Sequence, residues 1–591
     1  MIKLSDYVIR FIADQGVKHL FLVPGGGAMY LNDSLGRCES ITYVSNLHEQ
    51  ASAIAAEAYA RVTNNLGVCM VTTGPGGTNA ITGVAGAWLD STPVLIVSGQ
   101  VKRADMKGIS DVRQLGSQEI DIVSIVRTIT KYAVTVTDPQ SIRYHMEKAV
   151  FLARAGRRGP VWIDIPLDVQ AAVIDEDSLN PYIPDEPAQP AQSEDLARKV
   201  RLALELFNQA ERPVILAGNG IRMAGAEGKF LDVVDLLGVP VLTTWLGLDL
   251  IPDSHPLLAG RPGSIAPRGA NFTLQNSDWL LCLGSRLDMA LTGYAHDRFA
   301  SAAHKVFVDI DPAEIAKFQA PIDVPIVADA GEFLRELLRQ ADLIHAGRPA
   351  WVQRTQEWKR RYPVVTAEHR TGAQISAYHF SEVLSEELAE GELVVPGSSG
   401  FAIEIFLLVL GVKTGQRVFH NRGTGAMGYG LPAALGACVA AGGKRTVSVD
   451  GDGGFQFNIQ ELATVAALGL PVKYFVLNNG GYASIRSSQD RYFPGNRMAC
   501  DASSGVVLPD LVAQARAYGI STVRIDRPAD LRSGIRRVLA SDGPALCEVV
   551  AMPDEERQPR LASAAGQPAR RSSTWKATTP AKAVSTGSSR K

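Results

Sequence analysis

The sequence predicts an α/β protein made of three doubly wound parallel-sheet domains. Three observations predict it. Short apolar runs alternate with Ala- and Gly-rich helical runs, glycine turns follow the apolar runs, and 591 residues exceed what one hydrophobic core covers. Strands joined through helices need crossover connections, and crossovers give parallel sheets.

The elements follow in order. In residues 1–173, strands are expected at His19 to Val23, Ile41 to Val44, Gly67 to Thr72 and Pro93 to Ser98, with an Ala-rich helix from Gln50 to Arg61. Residues 174–194 are Pro- and acid-rich and read as a linker. The second domain, residues 195–346, carries runs at Arg212 to Gly220, Val239 to Leu242, Asp278 to Gly284 and Lys305 to Asp311. A connector rich in Arg and Glu, residues 347–373, leads to the third domain, residues 374–552. There Arg445 to Val449 and Val472 to Leu477 read as strands flanking a helix at Ile459 to Leu468. Residues 553–591 turn Arg-, Ser-, Ala- and Thr-rich and read as a disordered basic tail.

Composition narrows the function. A formal net charge of -2 gives no global basic field for nucleic acid. No apolar stretch is long and charge-free enough to span a bilayer, and Met1 to Arg10 lacks the pattern of a secretory leader, so a cytoplasmic protein is expected. The six cysteines lack metal-ligand spacing and read as reduced, mostly buried thiols.

The chemistry concentrates at two strand ends. Asp450-Gly451-Asp452-Gly453-Gly454 ends one apolar run and Asn478-Asn479 ends the next. In a parallel sheet both ends lie on the carboxyl edge, where such folds bind ligands, so Asp452 and Asn479 should converge. One carboxylate, an amide oxygen and glycines that admit a phosphate suit a divalent cation carrying a diphosphate. Near the other end of the chain, Glu49 stands between a strand and the Ala-rich helix, a position also open to any solvated acid favoured by the helix dipole.

With these residues, the chain resembles the thiamine-diphosphate-dependent enzymes, in their acetolactate-synthase-like branch. Gly-Asp-Gly followed by Asn-Asn carries the resemblance, with Glu49, Tyr59-Ala60-Arg61, Val71 to Asn79, Gly159 to Pro166 and Gly423 to Ala434. The three domains would then be pyrimidine-binding, central and diphosphate-binding. The resemblance implies Mg²⁺ held by Asp452, Asn479 and the carbonyl of Gly481. It implies that Gly25, Pro75, Asn79, Met427, Gly451, Gly453, Gly454 and Tyr482 bind thiamine diphosphate, Met427 by bending it. Glu49 would share a proton with the aminopyrimidine, which calls for a water-shielded carboxyl, and Gln118 would be the second catalytic residue. In this family the cofactor lies between two subunits, so a homodimer is the expected minimum, and a tetramer is compatible.

The central domain raises the question of FAD. Gly218 to Gly220, Gly260 to Ser264, Gly284 to Asp288 and Asp309 to Pro312 resemble the flavin-holding turns of acetolactate synthases, and are equally ordinary connectors. The acceptor side departs from the housekeeping enzyme. Ser117 stands where an aromatic is expected, Leu167 where a Lys is, Ser488 in place of the Trp of Trp-Gln-Asp, and Ser398 to Glu404 in place of a Gln-His-Gln-Met segment. Gly480 to Arg486 with Ser488-Gln489 resembles carboligases of surface-sugar synthesis, typified by the yersiniose pathway. The leading expectation is therefore a carboligase that decarboxylates a 2-oxo acid, pyruvate by resemblance, and adds the acyl unit to a carbonyl acceptor such as a nucleotide-linked keto-sugar. The alternatives are an acetolactate synthase joining two pyruvates, or a simple 2-oxo acid decarboxylase. Arg486 reads either as an anion contact or as an ion-paired arginine.

Overall fold

The computed structural model describes residues 1–184, 191–345, 347–397 and 400–561. Ser398-Ser399, residues 185–190 of the expected linker, residue 346 and the tail from residue 562 lie outside the described residues.

Three six-stranded sheets form, and every pairing within them is parallel. The first contains β1 (His19–Leu22), β2 (Thr42–Ser45), β3 (Gly67–Val71), β4 (Val94–Gln100), β5 (Tyr132–Thr135) and β6 (Val161–Pro166), in the order β2-β1-β3-β4-β6-β5. The second contains β7 (Pro213–Ala217), β8 (Val241–Thr243), β9 (Leu258–Gly260), β10 (Trp279–Leu283), β11 (His304–Asp309) and β12 (Val324–Val327), in the order β9-β8-β7-β10-β11-β12. The third contains β13 (Leu393–Val394), β14 (Arg417–Val418), β15 (Thr446–Gly451), β16 (Val472–Asn478), β17 (Ser521–Ile525) and β18 (Ala545–Val550), in the order β14-β13-β15-β16-β18-β17. The outer two sheets thus share one strand order. The central sheet has another, 3-2-1-4-5-6 from its own first strand.

Central strands read as continuous apolar runs because helices cover both faces of a parallel sheet. Gly67 to Val71 and Val94 to Gln100 are buried throughout. The first and third sheets belong to one compact unit with Ile251–Ser254, and the central sheet belongs to another.

Within the first unit, helix α1 (Glu49–Thr63) packs on α2 (Pro75–Leu89) and α3 (Gly430–Ala440). The many alanines of α1 let the backbones approach closely. A Cβ on Gly436 would stand 2.2 Å from the carbonyl oxygen of Ala55, and one on Gly67 would stand 1.9 Å from that of Ala56. Only glycine fits at these crossings.

The expected linker is shorter than its composition suggests. Ile174 is buried and pairs with Ile2 in a two-stranded antiparallel ribbon, and a helix already runs from Ala191 to Gln209. Edge pairing at one end and a helix-opening Glu194 at the other outweigh the Pro-rich composition. All six cysteines are free and five are buried. Among the described residues no helix is long and apolar enough to cross a membrane.

Candidate functional site

Strand β15 runs to Gly451, and Asp452 opens the short helix Asp452–Phe455 at its carboxyl end. The Asp452 carboxylate is buried. Its Oδ1 accepts from Gly453 N at 2.8 Å, and its Oδ2 accepts from Gly480 N and Gly481 N at 2.9 Å each. The expected convergence of the two strand ends is therefore present. Burial pushes the Asp452 carboxyl up to about 6, against the pull of the Gly481, Gly453 and Gly480 amides.

The two asparagines divide their work. Asn478 is structural, its amide donating to Glu548 at 2.7 Å. Asn479 is buried, and its Oδ1 has no hydrogen-bond partner among the described residues. A buried acceptor without a donor is costly, and a cation beside it removes that cost. Among the described residues no cluster of three or more His, Cys, Asp or Glu could hold a metal. A cation here would rest on the Asp452 carboxylate, the Asn479 amide and backbone carbonyls, a donor set that fits Mg²⁺.

Glycines make room around these groups. A Cβ on Gly453 would stand 2.4 Å from the Tyr482 ring, and one on Gly454 would stand 3.0 Å from Asp450 Oδ1, whereas Gly451 has open space. Gly481 has φ +123° and lies against the carbonyl of Cys500, which also accepts from Tyr482 N at 2.8 Å. Helix α5 (Ala483–Tyr492) follows directly.

Glu49 is the first residue of α1. Its helix is capped by the His48 ring, which accepts from Gln50 N at 3.1 Å. The Glu49 carboxylate is 9% exposed and accepts at Oε2 from Asn79 Nδ2 at 3.0 Å. A solvated acid is thereby ruled out; this is a shielded carboxylate with one amide donor. The segment before it is pinned by Glu461 of helix α4 (Glu461–Ala467). Its carboxylate accepts from Asn46 Nδ2 and from Leu47 N, each at 2.9 Å.

The glycine turn at Gly25 leans on β3. A Cβ on Gly25 would clash with the Thr72 side chain, and Thr72 Oγ1 accepts from Gly27 N at 3.1 Å. Next along, Thr73 donates to Gln100 at 2.8 Å, Gly74 takes φ +63° and Pro75 opens α2. A Cβ on Gly74 would stand 2.5 Å from the carbonyl of Gln118. Gln118 itself is exposed at φ +65°, while its neighbour Glu119 turns inward and accepts from Leu115 N and Gly116 N. Of the Gln-Glu pair, Gln118 is free to meet a ligand and Glu119 holds the loop.

Met427 is 40% exposed on a loop before α3, so it does not fill a core gap. On the acceptor side, Ser488 is exposed, Gln489 exchanges hydrogen bonds with the backbone of Met498, and Asp490 pairs with Arg497 at 2.8 Å. The open choice over Arg486 resolves toward ion pairing. It is 3% exposed, donates to Asp554 at 2.7 Å and to the Asn479 carbonyl at 3.1 Å, and turns its charge away from solvent.

Sequence reasoning missed a buried polar network in the same unit. Arg61 pairs with Glu57 and with Asp90, Tyr429 donates to Glu57, and Asn421 donates to Asp90. Its one sequence signal was the presence of Glu57 and Arg61, four apart, in an otherwise apolar Ala-rich run.

Comparison with known proteins agrees with this architecture. Residues 2–125 match the N-terminal TPP binding domain of thiamine pyrophosphate enzymes, residues 200–337 the central domain, and residues 401–549 the C-terminal TPP binding domain. The chain is 35% identical over 582 residues to a protein of Oryza sativa subsp. japonica named "Acetolactate synthase 1, chloroplastic", covering 95% of this chain and 86% of that protein. It is 32% identical over 573 residues to a protein of Cyanidium caldarium named "Acetolactate synthase large subunit", covering 94% of each. Both of these relatives carry the name of acetolactate synthases. Together, the three domains and these relatives show that the chain belongs to the thiamine pyrophosphate enzymes, as an acetolactate-synthase-like member that forms carbon–carbon bonds.

Proposed function

We propose that this enzyme decarboxylates a 2-oxo acid and joins the resulting acyl unit to a second 2-oxo acid, as an acetolactate synthase does with pyruvate. The observation that carries the reading is the pairing of a shielded Glu49 with the Asp452–Asn479 strand-end clamp in a chain of this family. Bound thiamine diphosphate supplies a carbon nucleophile and an electron sink for decarboxylation. The chain supplies the rest. Asp452, Asn479 and the Gly481 carbonyl would hold Mg²⁺; Gly451, Gly453 and Gly454 would admit the phosphates, and Tyr482 would wall the site. Glu49, oriented by Asn79, holds or gives up a proton at the aminopyrimidine. Gly25 and Pro75 shape the neighbouring turns, Gln118 meets the substrate, and Met427 supports the cofactor.

A larger carbonyl acceptor is the second reading. Exposed Ser488, small where the family carries Trp, favours it. Incubation with thiamine diphosphate, Mg²⁺ and pyruvate separates the two. Acetolactate from pyruvate alone supports the first, and carbon dioxide release that requires another carbonyl compound supports the second. Acetaldehyde as the main product contradicts both.

We infer a flavin site at the central sheet's switch point. The 3-2-1-4-5-6 order is one that binds dinucleotides where the order reverses. At that point a Cβ on Gly218 would stand 2.2 Å from the Gly284 carbonyl, and the buried Ser285 Oγ and Thr243 Oγ1 lack partners among the described residues. Visible flavin absorbance retained through purification tests it, and a protein that neither retains nor takes up FAD contradicts it.

The active unit is a dimer in the cytoplasm on this reading. The exposed apolar side chains Tyr43, Leu47, Met427 and Phe457 near the two half-sites support self-association. Mixed E49Q and D452N subunits should regain activity that neither has alone, and no recovery after exchange of subunits contradicts a shared site.

A further inference from the structure

The loop that carries Met427 is held by its ends. At one end, the Asp90 carboxylate collects three donors from it: Asn421 Nδ2 at 3.0 Å, Arg422 N at 2.9 Å and Gly423 N at 2.9 Å. At the other end, the Tyr429 hydroxyl donates to Glu57 at 2.9 Å. Both carboxylates belong to the pyrimidine-binding domain, and one guanidinium, that of Arg61, pairs with both. All three side chains are almost wholly buried, at 1–2% exposed.

Among the described residues, the two buried carboxylates share the Arg61 guanidinium, and neutral donors complete their hydrogen bonding. Thr92 donates to Glu57 at 2.9 Å, and the loop donates to Asp90 through Asn421, Arg422 and Gly423 and to Glu57 through Tyr429. If the loop swung away, Asp90 would keep a buried charge without its amides, which is far costlier than exchanging a solvated hydrogen bond. A small cavity lies against the loop, lined in part by Ile54, Glu57, Asn421, Thr424, Ala426 and Tyr429. Glycines close the approach at each end. A Cβ on Gly423 would stand 2.4 Å from the Leu89 side chain, and one on Gly428 would stand 2.6 Å from that of Phe457.

We infer that Asp90 and Glu57, bridged by Arg61, are positioning residues: they fix both ends of the 421–429 loop and thereby set where Met427 stands at the cofactor site. The inference rests on the thiamine-diphosphate reading for what Met427 meets. The clamp itself stands on geometry. Glu57 and Arg61 lie on the helix that Glu49 opens, so the same residues also tie the loop to the helix that carries Glu49.

The test compares Y429F and D90N with T92A in the full-length protein. T92A removes a donor to the same Glu57 oxygen as the Arg61 pair without touching the loop. Amide hydrogen exchange over residues 421–429 and exchange of the C2 proton of bound thiamine diphosphate are both measured. Expected are about tenfold faster loop exchange and about tenfold slower C2 exchange in Y429F and D90N, the cost of one lost hydrogen bond to a charged group, with T92A near wild type on both. Unchanged loop exchange in Y429F and D90N, or equal changes in T92A, overturns the clamp. If wild type fails to bind thiamine diphosphate while Y429F and D90N still loosen the loop, the clamp stands and the cofactor reading falls.

Discussion

Asn79 donates its amide to Glu49 across 3.0 Å, joining the first residue of α1 to the start of α2. The bond fixes which way the carboxylate points. Pro75 and φ-positive Gly74, backed against Gln118, fix the start of the helix that brings Asn79 there.

Replacing Asn79 with Ala should leave the fold intact and misorient Glu49. The expected cost is roughly ten- to a hundredfold in kcat, within the usual range for disturbing a proton-transfer group, with little change in thiamine diphosphate affinity. Parallel measurement of kcat and of cofactor Kd checks this; a loss confined to Kd would mean that Asn79 serves only binding.

Arg486 should matter to metal retention rather than to substrate. Its guanidinium ties the carbonyls of Asn479 and Pro553 together and pairs with Asp554 at 2.7 Å. Truncation to Ala frees the backbone of a proposed ligand. Mg²⁺ dependence of activity should shift to about tenfold higher concentration, equivalent to one lost charge-assisted hydrogen bond. A shifted KM for the 2-oxo acid at unchanged Mg²⁺ dependence would show an anion-binding role instead.

Asp164 gives the protein a pH-dependent stability term. Burial raises its carboxyl to about 7, while hydrogen bonds from Ser98, Thr135 and Gln100 pull the other way. The folded state then holds a proton that the unfolded chain, near 3.8, has released. This contribution is fully present below 3.8 and lost as pH rises to 7, with a slope of at most ~1.4 kcal/mol per pH unit. Melting temperatures of wild type and D164N across that window check it; the D164N curve should be flatter, and parallel curves would remove Asp164 as the cause.

Much of this site was legible because each half sits on a local signal. Asp452 and Asn479 end two strands adjacent in sequence and in the sheet, and their convergence follows from parallel geometry. Strand limits shifted by only a residue or two, as for β16, which runs one residue further to Asn478. The clamp on the Met427 loop left a single local signal, Glu57 and Arg61 four apart in the Ala-rich run. Asp90 and Arg422 are 332 residues apart, and Glu461 and Asn46 are 415 apart, so their pairing is a property of the folded unit alone. Arg486 was ambiguous for the same reason. On a polar helix nothing marks an arginine as buried until Asp554, 68 residues on, is brought beside it.

The most direct test of the account is titration of thiamine diphosphate, with and without Mg²⁺, into wild type, D452A and E49Q. Wild type should bind only with Mg²⁺, D452A should lose that binding by about a hundredfold or more, and E49Q should bind nearly as wild type while failing to turn over 2-oxo acid. Binding that ignores Mg²⁺ or survives D452A unchanged would contradict the assignment of the Asp452–Asn479 strand ends as the metal-diphosphate clamp.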